Sequence, residues 1–263
     1  MSEVPPPPTK PLANRLVDLA VFGGVVALLA VSVQAVELHR LPLVLANSDK
    51  IGKFASGFLR PDFSQWRLLV SQMIVTLQIA LWGTTMAIVI AIPLGVAAAR
   101  NVTPVWIQQP VRRLLDLMRA VPDLVIGYLF IVAVGLGPLT GVLALAINTG
   151  GVLAKLFSEA VEAIDPGPVE GVRAVGGTRL QEVVWGVLPQ VGPLWTSYAL
   201  YRFEANARSA TVLGLIGAGG IGQLLFDSLN GYAYSQVAAI IIIIVVAVSL
   251  IDLLSQAMRS RLL

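Results

Sequence analysis

Six long apolar runs restrict the fold of this 263-residue chain more than any other feature of its sequence. A helix rises about 1.5 Å per residue, so about 20 apolar residues are needed to cross the hydrocarbon core of a bilayer. The runs that meet this length are 16–36, 66–99, 114–134, 139–163, 194–215 and 237–258. Charged residues make up 13% of the chain, against about 25% in water-soluble domains. The pattern therefore predicts an all-α polytopic membrane protein whose six transmembrane helices occupy 16–263.

The N-terminal region allows two interpretations. Lys10 and Arg15 precede the first apolar run, as basic residues do in a signal peptide. That run is longer than the roughly 7–15 residues of a signal-peptide core, which favours an uncleaved helix. The proline run before it predicts a disordered cytoplasmic tail over 1–15. The mixed polar segment 37–65 is predicted to lie outside the cell and to contain a short surface helix.

Basic residues indicate on which side of the membrane each loop lies. A set of arginines occurs in short loops and tails at the ends of apolar runs, as is typical of cytoplasmic loops. They are Arg15, Arg100, Arg112, Arg113, Arg173, Arg179, Arg259 and Arg261. We therefore expect a multi-pass protein of a prokaryotic inner membrane, surrounded by lipid, with both termini in the cytoplasm. Because the basic residues are scattered, the net charge of +3 does not indicate a nucleic-acid partner.

The segment 164–189 between the fourth and fifth runs is rich in polar residues but strongly patterned. Pro168 cannot continue a preceding helix but can open a new one, and valines recur at helical spacing from Val169. Gly176 interrupts this pattern, and Thr178 is a good cap for a second helix. The prediction is two short amphipathic helices joined by a glycine corner. Such a loop has apolar residues and no core of its own, so we expect it to dock on another protein.

Residues of this loop resemble the cytoplasmic EAA loop of permease subunits of binding-protein-dependent ABC importers. The matching positions are Glu170, Gly171, Val172, Gly176, Leu188 and Pro189. The chain departs from the family pattern at Gly171 and Val172, where the family prefers alanine, and at Gly186, where it prefers a branched apolar residue. These departures leave Glu170, Gly176 and the Leu-Pro pair in register.

The resemblance implies a type I ABC importer permease fold with several partners. A pair of cytoplasmic ABC ATPase subunits receives the 164–189 loops, with Glu170 as the charged contact. An extracytoplasmic substrate-binding protein delivers the cargo on the other side. A second copy of the permease completes the pathway, because one six-span chain supplies only half of it in that family.

A glycine-rich stretch after the fifth run carries a second resemblance. The segment 207–222 is similar to the subgroup of these permeases that imports phosphonates and related phosphorus oxyanions. Its glycines, Gly217, Gly219, Gly220 and Gly222, match the letters of a dinucleotide-binding loop. We reject that function because an apolar helix precedes them and no acidic residue follows at the required distance. They predict either a flexible turn or, as the resemblance implies, close backbone packing near the external gate.

The sequence does not predict an ATPase or a metal site in this chain. A phosphate-binding loop needs a glycine, four further residues, and then Gly-Lys-Ser/Thr. The one Gly-Lys pair, Gly52-Lys53, is followed by Phe54 and has Asn47 at the position of the first glycine. There is no cysteine, and the single histidine cannot form a ligand cluster by itself. ATP and Mg²⁺ are therefore expected on the partner ATPase, and no catalytic residue, metal or cofactor is predicted here.

Charged residues in the fifth run form a conspicuous polar cluster. Arg202, Glu204 and Arg208 lie where each ionisable group costs at least about 2.5 kcal/mol on insertion scales. Glu204 and Arg208 are four residues apart and can pair on one helix face. One interpretation is a set of structural ion pairs; the other is that Arg202 or Arg208 presents positive charge to a phosphate-like anion. Asn148 in the fourth run either adds polar lining to this pathway or marks a local helix irregularity.

The sequence and its resemblances together predict a permease subunit that moves phosphonate or a related anion by alternating access. ATP-driven closure of the partner subunits draws the two loops together and rocks the spans between inward-open and outward-open states. Two alternatives stay open at this point. One is the same architecture with another cargo, such as methionine; the other is an ATP-independent channel or secondary transporter.

Overall fold

The computed structural model describes residues 12–260, and every regular element in that range is helical. The tail predicted over 1–15 falls mostly on residues 1–11, which lie outside the described residues, and the first helix already begins at Leu12. By its internal contacts the chain divides into two compact units, one up to Ser56 and one from Gly57 onward.

The first unit contains α1 (Leu12–Ala35), a short 3₁₀ turn and α2 (Pro42–Ala46), and most of α3 (Ser48–Phe58). None of the residues in the apolar segment Leu16–Ala35 is buried, and the segment is long and apolar enough to cross a bilayer. The helix α3 lies within the segment 37–65, for which the sequence predicts a short surface helix.

The second unit contains nine α-helices among the described residues, together with two π-helical segments. The helices are α4 (Trp66–Ala98), α5 (Val105–Ala120), α6 (Asp123–Val134), α7 (Pro138–Glu162), α8 (Pro166–Ala174), α9 (Arg179–Gln181), α10 (Leu188–Leu213), α11 (Ile221–Asn230) and α12 (Tyr234–Arg259). The π-helical segments are Glu182–Val187 and Gly214–Ala218.

The described helices provide between four and six membrane spans, which confirms the predicted polytopic all-α class. Four single helices are long and apolar enough to cross a bilayer, namely α1, α4, α7 and α12. Two bent pairs complete the set if each counts as one span. The pair α5 and α6 meets at 89°, and the helical stretch that ends at Ala218 meets α11 at 58°. The third and fifth spans are therefore broken rather than straight.

The break in the third span lies where the sequence contains a proline. Helix α5 ends at Ala120 and α6 begins at Asp123, with Pro122 between them. Proline lacks the amide hydrogen needed to continue a helix and biases the residue before it away from helical geometry. Val121 accordingly has an extended backbone. Its carbonyl oxygen therefore needs a hydrogen-bond donor from outside its own helix.

The fifth span corrects the predicted boundary between loop and membrane. The sequence analysis places a loop up to 189 and a span from 194, but helical structure continues from Arg179 up to a kink at Gly217. Leu188 and Pro189 are consequently the first residues of α10. The hairpin and the fifth span share one continuous helical stretch.

Helix α7 lies at the centre of the second unit, and α4 packs along it through glycines. A side-chain carbon added at Gly83 would lie 2.7 Å from Leu145, and one added at Gly95 would lie 2.7 Å from Phe157. The contact of Gly95 lies farther along both helices than that of Gly83, so α4 and α7 run parallel. Lipid is as apolar as the side chains, so close approach through small residues is a main source of attraction between spans. Phe157 also stacks on Trp195 of α10, with 4.3 Å between ring centroids.

The glycine-rich stretch after α10 is tightly packed. Gly217, Gly219 and Gly220 have φ values of 100°, 77° and 72°, which favour glycine. A side-chain carbon at Gly222 would overlap the carbonyl oxygen of Thr211. Of the two predicted interpretations, the geometry shows close backbone packing. A position at the external gate stays a prediction.

Gly222→Ala is expected to destabilise the protein, because its methyl group has no space beside the α10 carbonyl. Overpacking of this kind costs about 1–3 kcal/mol. The matched control is Gly192→Ala on α10, where an added carbon meets no atom within 4 Å. Thermal unfolding of the purified protein in detergent should give a lower midpoint for Gly222→Ala only. Equal midpoints for the two variants would contradict the packing described here.

Candidate functional site

The segment 164–189, called the hairpin below, has the two short helices and the glycine corner that the sequence predicts. The side chain of Asp165 caps α8 by accepting a hydrogen bond of 2.9 Å from the amide of Gly167. Gly176 turns the chain with φ of 83°. The Thr178 side chain then caps α9 by accepting a hydrogen bond from the Gln181 amide. In return, the Thr178 amide donates to the side-chain oxygen of Gln181 at 2.7 Å. This reciprocal pattern is a capping box, which fixes where the second helix starts.

An ion pair joins the two arms of the hairpin. Arg173 of α8 donates from Nε and Nη2 to the two carboxylate oxygens of Glu182, at 2.9 and 3.0 Å. Such two-point guanidinium contacts are strong and directional. The hydrogen bonds from Arg173 lower the pKa of Glu182, and the carboxylate in turn raises the pKa of Arg173. The pair therefore joins α8 to the π-helical segment Glu182–Val187.

Gln190 fixes the base of the hairpin. Its side-chain oxygen accepts from the amide of Asp165 at 3.1 Å, and its side-chain nitrogen donates to the carbonyls of Asp165 and Gly186. At Gly186, an added carbon would lie 2.9 Å from the backbone of Val169. This close contact between α8 and the π-helical segment is a physical reason for glycine at a position where the family prefers a larger residue.

The outer surface of the hairpin is exposed and partly apolar. Val175 is 86% exposed, and Leu180 and Trp185 are also exposed. Glu170 lies exposed on α8, and an added carbon at Gly171 would meet no other atom. Solvent-exposed apolar groups beside a charge are typical of a protein docking surface. This arrangement matches the expectation that the hairpin docks on a partner.

The Arg173–Glu182 pair predicts a pH dependence of the hairpin. Because Arg173 lowers the pKa of Glu182, the pair stabilises the hairpin fully above the unfolded-state pKa, and this stabilisation is lost as the pH falls through the lowered folded-state pKa. Amide hydrogen exchange across 164–189, corrected for intrinsic rates, should accelerate only at acidic pH in the native protein. In Glu182→Gln it should be fast already at neutral pH. Glu159→Gln, on the exposed end of α7, is the control, and unchanged exchange in Glu182→Gln would contradict the assignment.

Within the membrane core, the charged residues of α10 separate into two groups. Glu204 and Arg208 pair with each other at 3.0 Å and with α12, where Glu204 contacts Arg259 at 3.4 Å and Arg208 contacts Asp252 at 3.5 Å. These contacts agree with the interpretation as structural ion pairs for this part of the triplet. They balance the buried charge and join the fifth span to the sixth.

Arg202 points to a different neighbour. No carboxylate among the described residues is recorded within ion-pair distance of its guanidinium. Its Nη2 donates to the hydroxyl of Thr149 at 3.3 Å. Its Nε is buried and has no hydrogen-bond partner among the described residues.

Asn148 forms a hydrogen bond at the break in the third span. Its side-chain amide donates to the carbonyl of Val121 at 3.2 Å, and this carbonyl is the group that the break leaves without a helical partner. The predicted role of Asn148 as pathway lining stays a prediction. Sequence reasoning did not single out Thr84 and Asn206, which are buried and hydrogen-bonded at 2.8 Å. An asparagine within an apolar run is the signal that indicates such a site.

The described helices thus form a polytopic membrane protein whose exposed hairpin lies between α7 and α10, an arrangement suited to the membrane subunit of a transporter. The sequence profile of the family described as "binding-protein-dependent transport system inner membrane component" matches residues 91–263. The chain belongs to this family and is a permease subunit of an ABC importer of the inner membrane. The family comprises membrane subunits and not ATPases. Membership of this family does not support the alternative of an ATP-independent channel or secondary transporter.

Two relatives carry names that refer to phosphorus compounds. The phosphite transport system permease protein PtxC of Stutzerimonas stutzeri is 40% identical over 94% of this chain and 90% of its own length. The phosphate-import permease protein PhnE of Mycolicibacterium smegmatis is 38% identical over 98% of this chain, which spans 48% of that protein.

A solved structure agrees in fold. The permease chain of an inward-facing methionine ABC transporter, MetNI, superposes with a TM-score of 0.67 over 77% of this chain and 99% of its own length. The two sequences are 21% identical, so the likeness shows the fold alone. It confirms the type I importer permease fold.

Proposed function

We propose that this permease moves a phosphorus oxyanion, of the phosphite, phosphonate or phosphate class, across the membrane. The observation that carries the proposal is Arg202. Its guanidinium lies within the fifth span, has no ion-pair partner among the described residues, and retains a buried Nε donor. The names of the relatives support the same chemical class.

The energetics favour Arg202 over Arg208 as the cargo contact. An unpaired charge inside the membrane is costly and is usually retained for a function. The charge of Arg208 is already balanced by Glu204 and Asp252. The guanidinium of Arg202 remains available, and its planar donors match the oxygens of a phosphate-like anion.

The proposed machine contains further subunits. Two copies of this chain form the pathway, and each hairpin docks into a cytoplasmic ABC ATPase through Glu170 and the exposed apolar groups around Val175. ATP and Mg²⁺ are bound and used by those ATPases, and a binding protein on the outer side supplies the anion. Both termini lie in the cytoplasm. Because the hairpin and Arg202 lie on one continuous helical stretch, movement of the hairpin changes the position of Arg202 directly.

Replacing Arg202 is expected to abolish transport selectively. The complete transporter, with its ATPase and binding protein in proteoliposomes, is assayed for ATP-driven uptake of phosphite, methylphosphonate, inorganic phosphate and methionine. Arg202→Gln should reduce uptake of the phosphorus anion by at least about tenfold, since charged hydrogen bonds contribute about 1.5–3 kcal/mol. Arg208→Gln is the matched variant and should lower the thermal midpoint without changing which cargo is taken up.

Normal uptake by a fully expressed Arg202→Gln variant would contradict the role of Arg202. Uptake of methionine in place of the anions by the native transporter would overturn the cargo class and leave the permease fold and its ATPase coupling intact.

A further inference from the structure

Three spans meet at a buried polar contact near their midpoints. Thr84 of α4, Thr149 of α7 and Asn206 of α10 are at most 4% exposed. The Thr149 hydroxyl donates to Asn206 Oδ1 at 2.8 Å, and Asn206 Nδ2 donates to Thr84 Oγ1 at 2.8 Å. Arg202, one turn before Asn206 on α10, donates to the same Thr149 oxygen. The four side chains form one connected chain of hydrogen bonds.

The direction of each bond in this chain follows from counting donors. Thr84 uses its only hydrogen on the carbonyl of Ala80 at 2.7 Å, so it can only accept from Asn206. The Asn206 amide must therefore present nitrogen to Thr84 and oxygen to Thr149. The Thr149 hydroxyl then donates its hydrogen to Asn206 and accepts a hydrogen bond from Arg202. Only this arrangement of hydrogens allows all of these hydrogen bonds, and the chain ends at the Arg202 guanidinium.

We propose that Thr149 and Asn206 are positioning residues that hold the Arg202 guanidinium in place for the transported anion. This inference rests on the function proposed above and adds residues that do not touch the cargo. With Nη2 engaged by Thr149, the remaining donors have a fixed direction, and the buried Nε is left for an acceptor that the described part of the chain does not supply. Holding a long side chain in one rotamer before binding removes an entropic cost from the binding step.

The same contact links Arg202 to helix movement. Arg202 and Asn206 belong to α10, whereas Thr149 belongs to α7. A shift of α10 along α7 therefore breaks or remakes the support of Arg202. Because α10 continues from the hairpin, the support of the guanidinium responds to the force applied there.

The test uses the complete transporter in proteoliposomes, with ³²P-labelled phosphite and phosphate as probes. Thr149→Val keeps the shape of the side chain but removes the hydroxyl; Thr149→Ser keeps the hydroxyl. The control is Thr85→Val, since the Thr85 hydroxyl donates only to a carbonyl of its own helix, that of Leu81. Three quantities are measured for each variant: anion transported per ATP hydrolysed, ATPase rate, and thermal midpoint.

Thr149→Val removes the hydrogen bonds to both Arg202 and Asn206. It should transport about tenfold less anion per ATP, because the bond to the charged Arg202 alone contributes about 1.5–3 kcal/mol. Its ATPase rate should stay near that of Thr85→Val, and Thr149→Ser should restore transport to within about twofold of the native protein. Asn206→Asp should behave like Arg202→Gln, because a carboxylate one turn away pairs with the guanidinium and neutralises it.

Three outcomes overturn the proposal. The first is transport by Thr149→Val equal to that of Thr85→Val. The second is a loss that Thr149→Ser does not restore. The third is a parallel fall of uptake, ATPase rate and thermal midpoint, which indicates a structural role only. If Arg202→Gln abolishes uptake while Thr149→Val does not, the positioning role fails alone; if Arg202→Gln transports normally, the cargo role of Arg202 fails as well.

Discussion

Polar groups inside a bilayer must be satisfied by other groups of the protein, because hydrocarbon offers them no hydrogen bonds. This constraint organises the core around the middle of α7. Asn148 supplies the hydrogen bond that the broken third span lacks, and Thr149 joins the fourth span to the fifth. Next to them, Gly151 leaves space for α5, since an added carbon would lie 2.7 Å from Met118. Asn148, Thr149 and Gly151 thus each contribute to how the middle of α7 meets its neighbours.

In the proposed function, one helical stretch connects the energy input to the cargo. The Arg173–Glu182 pair and the Gln190 contacts tie the two arms of the hairpin together. Helix α10 leaves the hairpin and carries Arg202 and Asn206 to the centre of the membrane. The charge pairs to α12 then join this movement to the last span. On this proposal, a chain with no nucleotide-binding loop is driven by ATP hydrolysis in a partner subunit.

Local patterns in the sequence predict local features of the structure well. Apolar length predicts the spans, Thr178 predicts a helix start, and the spacing of Glu204 and Arg208 predicts their ion pair, because each depends on residues a few positions apart. The contacts of Arg202 with Thr149 and of Asn206 with Thr84 join residues 53 and 122 positions apart. Such contacts depend on how helices pack and rotate against each other, which no local pattern encodes. The same limit applies to the 89° bend, since Pro122 predicts a break but not its angle.

The central claim is that a cytoplasmic partner holds the hairpin and moves α10 through it. The chain contains no cysteine, so Val175→Cys places a single thiol at a highly exposed position on the hairpin. The decisive measurement is labelling of this thiol by a membrane-impermeant maleimide in oriented vesicles, with and without the ATPase subunits. We predict labelling in inside-out vesicles only, and protection when the ATPase is bound. Labelling from the external side, or labelling that the ATPase does not change, would contradict the claim.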